Sequence, residues 1–69
     1  MPVSVAKVSE ISATSSKSFE DAIQQGLTRS VKTLRNVRGA WIKEQHVHCN
    51  DGRIVEYRVN MMVTFVLDD

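Results

Sequence analysis

The stretch Ile54-Val55-Glu56-Tyr57-Arg58-Val59-Asn60-Met61-Met62-Val63-Thr64-Phe65-Val66-Leu67 decides the fold. Every odd position from Val55 to Leu67 is apolar, while Glu56, Arg58, Asn60 and Thr64 interrupt the even ones. Period-two alternation sustained this long, rich in β-branched and aromatic side chains, predicts a single strand with one buried face. At about 3.3 Å per residue such a strand reaches roughly 46 Å. A compact chain of 69 residues has a diameter of only about 28 Å. The strand therefore overhangs its own domain, and its apolar overhang calls for cover from other subunits.

Composition points the same way. A chain of 69 residues is one domain, spanning 1–69, near the lower limit at which a single core is stable by itself. The lone Cys49 excludes an intrachain disulfide, and one cysteine with two histidines falls short of a structural zinc set. Assembly is the remaining source of stability. Nine basic residues against eight acidic ones give a net charge of +1, so no basic field argues for a nucleic-acid partner. No apolar run is long enough to span a membrane, and Met1-Pro2-Val3-Ser4-Val5 does not resemble a secretory leader. The expectation is a soluble, cytoplasmic homo-oligomer.

Working back from the last strand, Asn50-Asp51-Gly52 predicts a tight hairpin, Asp-Gly being suited to the positive φ angles of a type I′ turn. With Asp51 and Gly52 as the loop, Asn50 pairs with Arg53, Ile42 with Met61 and Ala40 with Val63. The preceding strand is expected over Ala40–Cys49, with Gly39 ending the connection. In this register Gly39, Trp41, Lys43 and Arg58 share one face. Glu44, His46 and His48 fall on the buried side, a conflict that a bulge or a short helix would relieve.

Upstream, Phe19, Ala22, Ile23, Gly26, Leu27, Val31 and Leu34 recur at helical spacing, predicting a helix from Ser18 to Asn36, about 28 Å long. Ser18 suits the N-cap, its hydroxyl accepting from the Asp21 amide, and Glu20 and Asp21 complement the positive helix end. Gly26 reads as a point of close backbone approach to the sheet. Val3–Ala13 is the remaining strand, followed by a polar turn over Thr14–Ser18. The order β-α-β-β gives an α+β fold: a three-stranded antiparallel sheet wrapped around one helix, with the last strand in the middle.

Few residues carry chemistry. No Ser-His-Asp order, phosphate-cradling glycine loop or His-Glu-x-x-His motif occurs, and Glu44 and Glu56 read as salt-bridged strand carboxylates, so no enzyme is expected. His46 and His48, two apart on a strand, point to one side and could take zinc, nickel or copper with help from Asp51 or Cys49. The only tryptophan, Trp41, lies on the face turned away from the helix, with Arg58. It reads as an anchor between subunits or as a stacking platform for a planar aromatic ligand whose polar edge Arg58 would bind.

Thr14-Ser15, Phe19-Glu20-Asp21-Ala22-Ile23, Thr33-Leu34-Arg35-Asn36-Val37, Glu56-Tyr57-Arg58-Val59 and Val63-Thr64-Phe65-Val66-Leu67, in this order, resemble the dodecins almost end to end. The resemblance implies a hollow homododecamer of this same strand-helix-strand-strand unit. It implies a non-enzymatic role in binding, storing or sequestering a small molecule, typically a flavin such as riboflavin or FMN held in pairs between subunits. In dodecins a tryptophan stacks on the flavin ring and a glutamine on the third strand bonds its polar edge. Here Gly39 stands at the tryptophan position, four residues after Arg35, and Arg58 stands at the glutamine position. Trp41 lies two residues further along the same strand face. Another branch of the family is associated with calcium, for which Asp51, Asp68 and Asp69 offer oxygen ligands.

Overall fold

A computed structural model describes residues 4–67. The start of the first expected strand at Val3, and the acidic pair Asp68 and Asp69, lie outside the described residues. The element order is β1 (Ala6–Ser15), α1 (Phe19–Ser30), β2 (Val37–Asn50) and β3 (Arg53–Val66). The sheet order is β1-β3-β2, with both neighbours antiparallel to β3. The strand read first from the sequence is thus the central one, fourteen residues long as expected.

Val59, Met61 and Val63 are fully buried against Ala22 of α1. Ile11, Ala13, Phe19, Ile23, Leu27, Leu34, Val37 and Ile42 close around them. Full burial of each of the three large side chains contributes about 1.5–3 kcal/mol. That is small against the roughly 1–2 kcal/mol of backbone entropy lost by every ordered residue. The chain is also far from round. It measures 55 × 20 × 14 Å with a radius of gyration of 14.4 Å, where a compact globule of this length has about 11 Å. The excess is the β2–β3 arm. Its large apolar residues Val47, Ile54 and Val55 are 45–51% exposed.

The helix begins as its sequence dictates. Ser18 is extended, and its Oγ accepts the Asp21 amide at 2.9 Å. It ends earlier than Asn36, however, giving twelve residues and a length of about 18 Å. Beyond Ser30 the bonds tighten: Lys32 N reaches Arg29 O and Thr33 N reaches Ser30 O, the i to i−3 pattern of a helix running out. Ser30 also turns its hydroxyl back onto Gly26 O at 2.8 Å, a competing bond that disfavours continuation. Asn36 then takes a left-handed φ of 59° and docks on the end of β3, donating from Nδ2 to Val66 O and accepting from Val66 N.

Two strand boundaries also shift from the sequence expectation. Thr14 and Ser15 extend β1 rather than turning, because Thr14 pairs with Arg58 and Ser15 with Tyr57. Ring contact supports this end, Phe19 and Tyr57 meeting edge to face at 5.1 Å. Strand β2 starts at Val37, so Gly39 lies inside it. The hairpin is as expected: Asn50 pairs with Arg53, and Asp51 and Gly52 have φ of 52° and 74°.

Register matches the expectation over residues 39–42 and 49–50, departs between them, and departs again at Val37, which faces Phe65 with Arg38 as an extra residue on β2. Ile42 faces Met61 and Ala40 faces Val63, yet Glu44 faces Asn60, His46 faces Arg58 and His48 faces Glu56. Val55 is an extra residue on β3, and Lys43 a compensating extra residue on β2. Each bulge advances one strand by one position and flips the residues between them. The second register thus removes Glu44, His46 and His48 from the helix-facing side, correcting their expected burial. Both reliefs operate, since the short helix also leaves that end uncovered.

Candidate functional site

The sheet face turned away from α1 carries the residues of interest. Trp41 lies opposite Met62 and is 53% exposed. Gly39 lies opposite Thr64, and a Cβ there would meet nothing within 4 Å. No side chain from Gly39 therefore walls off the indole on that flank. Lys43, the bulged residue, reaches across β3 to Glu10 on β1, its Nζ 3.3 Å from Oε2. Since Glu10 also pairs with Met62, this bridge borders the Trp41 platform on the side towards the arm.

Beyond it runs a polar row that the sequence register did not foresee. Asn60 donates from Nδ2 to Glu44 Oε1 at 2.8 Å and approaches His46 Nε2 at 3.5 Å. Arg58 lies between Thr14 on β1 and His46 on β2, half exposed, with Glu56 Oε2 at 3.7 Å. His46, His48, Glu56 and Arg58 line a small cleft of about 170 Å³. From Met62, opposite Trp41, to Arg58 is four residues along β3, or about 13 Å. Trp41 and Arg58 share a face as expected, but they are two ends of a platform and not neighbours. The conflict over Glu44, His46 and His48 was the sequence signal for this row, and following it through the bulge finds the row.

The expected metal residues separate. His46 and His48 line one cleft, while Asp51 sits in the turn at the tip of the arm. Cys49, exposed, pairs with Ile54 beyond the Val55 bulge. Among the described residues no three His, Cys, Asp or Glu side chains gather as they stand into a group that could hold an ion.

A larger recess, about 510 Å³, opens between α1 and β1 and is lined by Ile11, Ala13, Gln25, Gly26, Arg29 and Leu34 among others. It lies on the opposite side of the sheet from Trp41 and carries no titratable pair. Volume alone does not make it the site. Among the described residues the perturbed acid is elsewhere again, at the start of α1. Asp21 is held below the ordinary carboxylate range, chiefly by the Ser15 hydroxyl donating to Oδ2 at 2.5 Å. Burial opposes the shift, and Gln25 and Lys17 assist it. This is a helix-start staple that ties β1 to α1. Among the described residues no helix is long and apolar enough to cross a membrane.

The dodecin family profile matches residues 5–68. A Thermus thermophilus dodecin mutant is 34% identical over 97% of this chain and 98% of its own, with a TM-score of 0.91. The dodecin of Streptomyces davaonensis is 33% identical over 96% and 97%, with a TM-score of 0.90. The calcium dodecin of Mycobacterium tuberculosis, described as a calcium-chelating antigen with a novel calcium-binding site, is 28% identical over 93% and 91%, with a TM-score of 0.80. No curated protein matches the chain.

Proposed function

The chain belongs to the dodecin family, and from that membership we propose that it assembles as a hollow homododecamer whose subunits bind a small planar molecule of the flavin type without turning it over. Riboflavin and FMN are the leading ligands. The observation that carries this reading is the half-exposed Trp41 on a sheet face that no helix covers, with Gly39 leaving its flank open. Trp41 would lie against the ring, taking over from the displaced tryptophan position. Arg58, at the far end of the platform, would donate to polar groups of the ligand, a role its five fixed N–H donors suit. The length and exposed apolar surface of the arm support assembly, since a single chain leaves Val47, Ile54 and Val55 in water.

Titration of the purified assembly with riboflavin and FMN tests this reading. Flavin fluorescence should be quenched at micromolar concentration, and Trp41→Ala should abolish quenching while native mass spectrometry still reports the oligomer. Arg58→Ala should weaken binding about tenfold, the loss of one charge-assisted hydrogen bond. Gly39→Trp with Arg58→Gln should strengthen quenching. No quenching by the unaltered protein would remove the flavin reading.

A second reading is a shell that handles calcium and takes no flavin. The likeness to the calcium dodecin of M. tuberculosis favours it. Calcium retained by the purified protein on elemental analysis, without flavin quenching, would decide for it.

A further inference from the structure

We propose that His46 and His48 form a chelating site for a borderline divalent cation, zinc, copper or nickel, on the outer face of the arm. This goes beyond the flavin reading and stands independently of it. Two residues apart on a strand, both imidazoles project from the same face, about 6.6 Å apart at their bases. The Val55 bulge matters here: were Val55 paired with His48 instead of bulged, the two histidines would face the helix side. As it is, they line one cleft with Glu56, which lies directly across from His48. The donors are nitrogen, which suits zinc, copper and nickel, whereas calcium requires a cage of oxygens. The pair therefore selects a different ion from the one in the second reading above.

The groups around the pair fit this use. Asn60 approaches His46 Nε2 at 3.5 Å, the outer limit of a hydrogen bond, and its shorter bond is to Glu44 at 2.8 Å. A cation at Nε2 replaces the weak contact and leaves the strong one. Glu56 is held by Arg58 across 3.7 Å with both side chains half exposed. Such a loose pair opens readily, freeing the carboxylate to turn towards the ion as a third ligand. Water completes the tetrahedron. Arg58 opposes the site by its charge, and Glu56 is the point of competition between the two.

The test is zinc titration of EDTA-treated, untagged protein against a chromophoric chelator at neutral pH, with copper d–d absorption as a second readout. The expected result is saturation at a single zinc per chain, undisturbed by excess calcium. His46→Ala and His48→Ala should each remove saturable binding and leave the oligomer intact. Glu56→Gln should weaken binding about tenfold, Arg58→Gln should tighten it, and Cys49→Ser should leave it unchanged. Absent saturation, binding that survives both histidine substitutions, or binding that Cys49→Ser abolishes would each overturn the proposal. Flavin quenching is measured separately, so loss of either result leaves the other standing.

Discussion

Gly26 on α1 and Met61 on β3 touch so closely that a Cβ built on the glycine would lie 2.5 Å from the methionine Cε. The same Cβ would lie 3.2 Å from Ala13 Cβ on β1. Helix propensity alone favours alanine at such a position by about 1 kcal/mol. The methionine end is flexible, but Met61 is fully buried, and Ala13 is fixed to its strand. Overpacking of this kind costs about 1–3 kcal/mol. Gly26→Ala should therefore destabilise by about 1 kcal/mol net, read from denaturant midpoints at fixed protein concentration. In a Met61→Val background the penalty should shrink, the Ala13 contact remaining, and an undiminished penalty would place the strain at Ala13.

The arm offers a sharper test of assembly than the core does. Val47 and Val55 are close to half exposed in the single chain, where a change to aspartate would cost almost nothing. In an assembly that covers them, two buried charges would be strongly unfavourable. Val47→Asp with Val55→Asp should break the oligomer into smaller or aggregated species on native mass spectrometry. An intact oligomer would show that the arm projects into solvent.

Asp21 gives the protein a defined acid sensitivity. Its folded value lies below the unfolded one, mainly through Ser15. The resulting stabilisation is in force above the unfolded carboxylate range near about pH 4 and is lost as pH falls through the folded value. Asp21→Asn should lower stability at neutral pH and flatten the loss of stability in acid. Ser15→Ala should move the Asp21 titration, followed by carboxyl NMR, back up towards the ordinary range. An unmoved titration would assign the shift to Gln25 and Lys17.

The sequence made some of this legible for local reasons. Asp51-Gly52 sets the hairpin by its backbone preference, and the run from Val59 to Val63 sets the buried face by period alone. The register on either side of the arm's middle, at residues 39–42 and 49–50, could be read because the Lys43 and Val55 bulges cancel. The middle could not, since neither Val55 nor Lys43 differs in type from an ordinary strand residue. Only the discomfort of burying Glu44, His46 and His48 betrayed them. The helix end was overread for a similar reason: Val31 and Leu34 keep helical spacing, while Ser30 bonding back to Gly26 and the left-handed Asn36 end the coil. Trp41 and Arg58 could be assigned a common face but not a separation, because distance along a sheet depends on how the strands are slipped.

The paired bulges also constrain how this chain can change in length. Lys43 and Val55 pair with nothing across the ladder, so dropping either by itself can leave every other pair from Gly39 to Asn50 in place. Dropping both would straighten the ladder and still leave His46 opposite Arg58 and His48 opposite Glu56 on the outer face. Loss of a paired residue, by contrast, slips the register by one and turns the outer row over, so the two bulge positions are where this limb can shorten without moving the surface on which any ligand would be met.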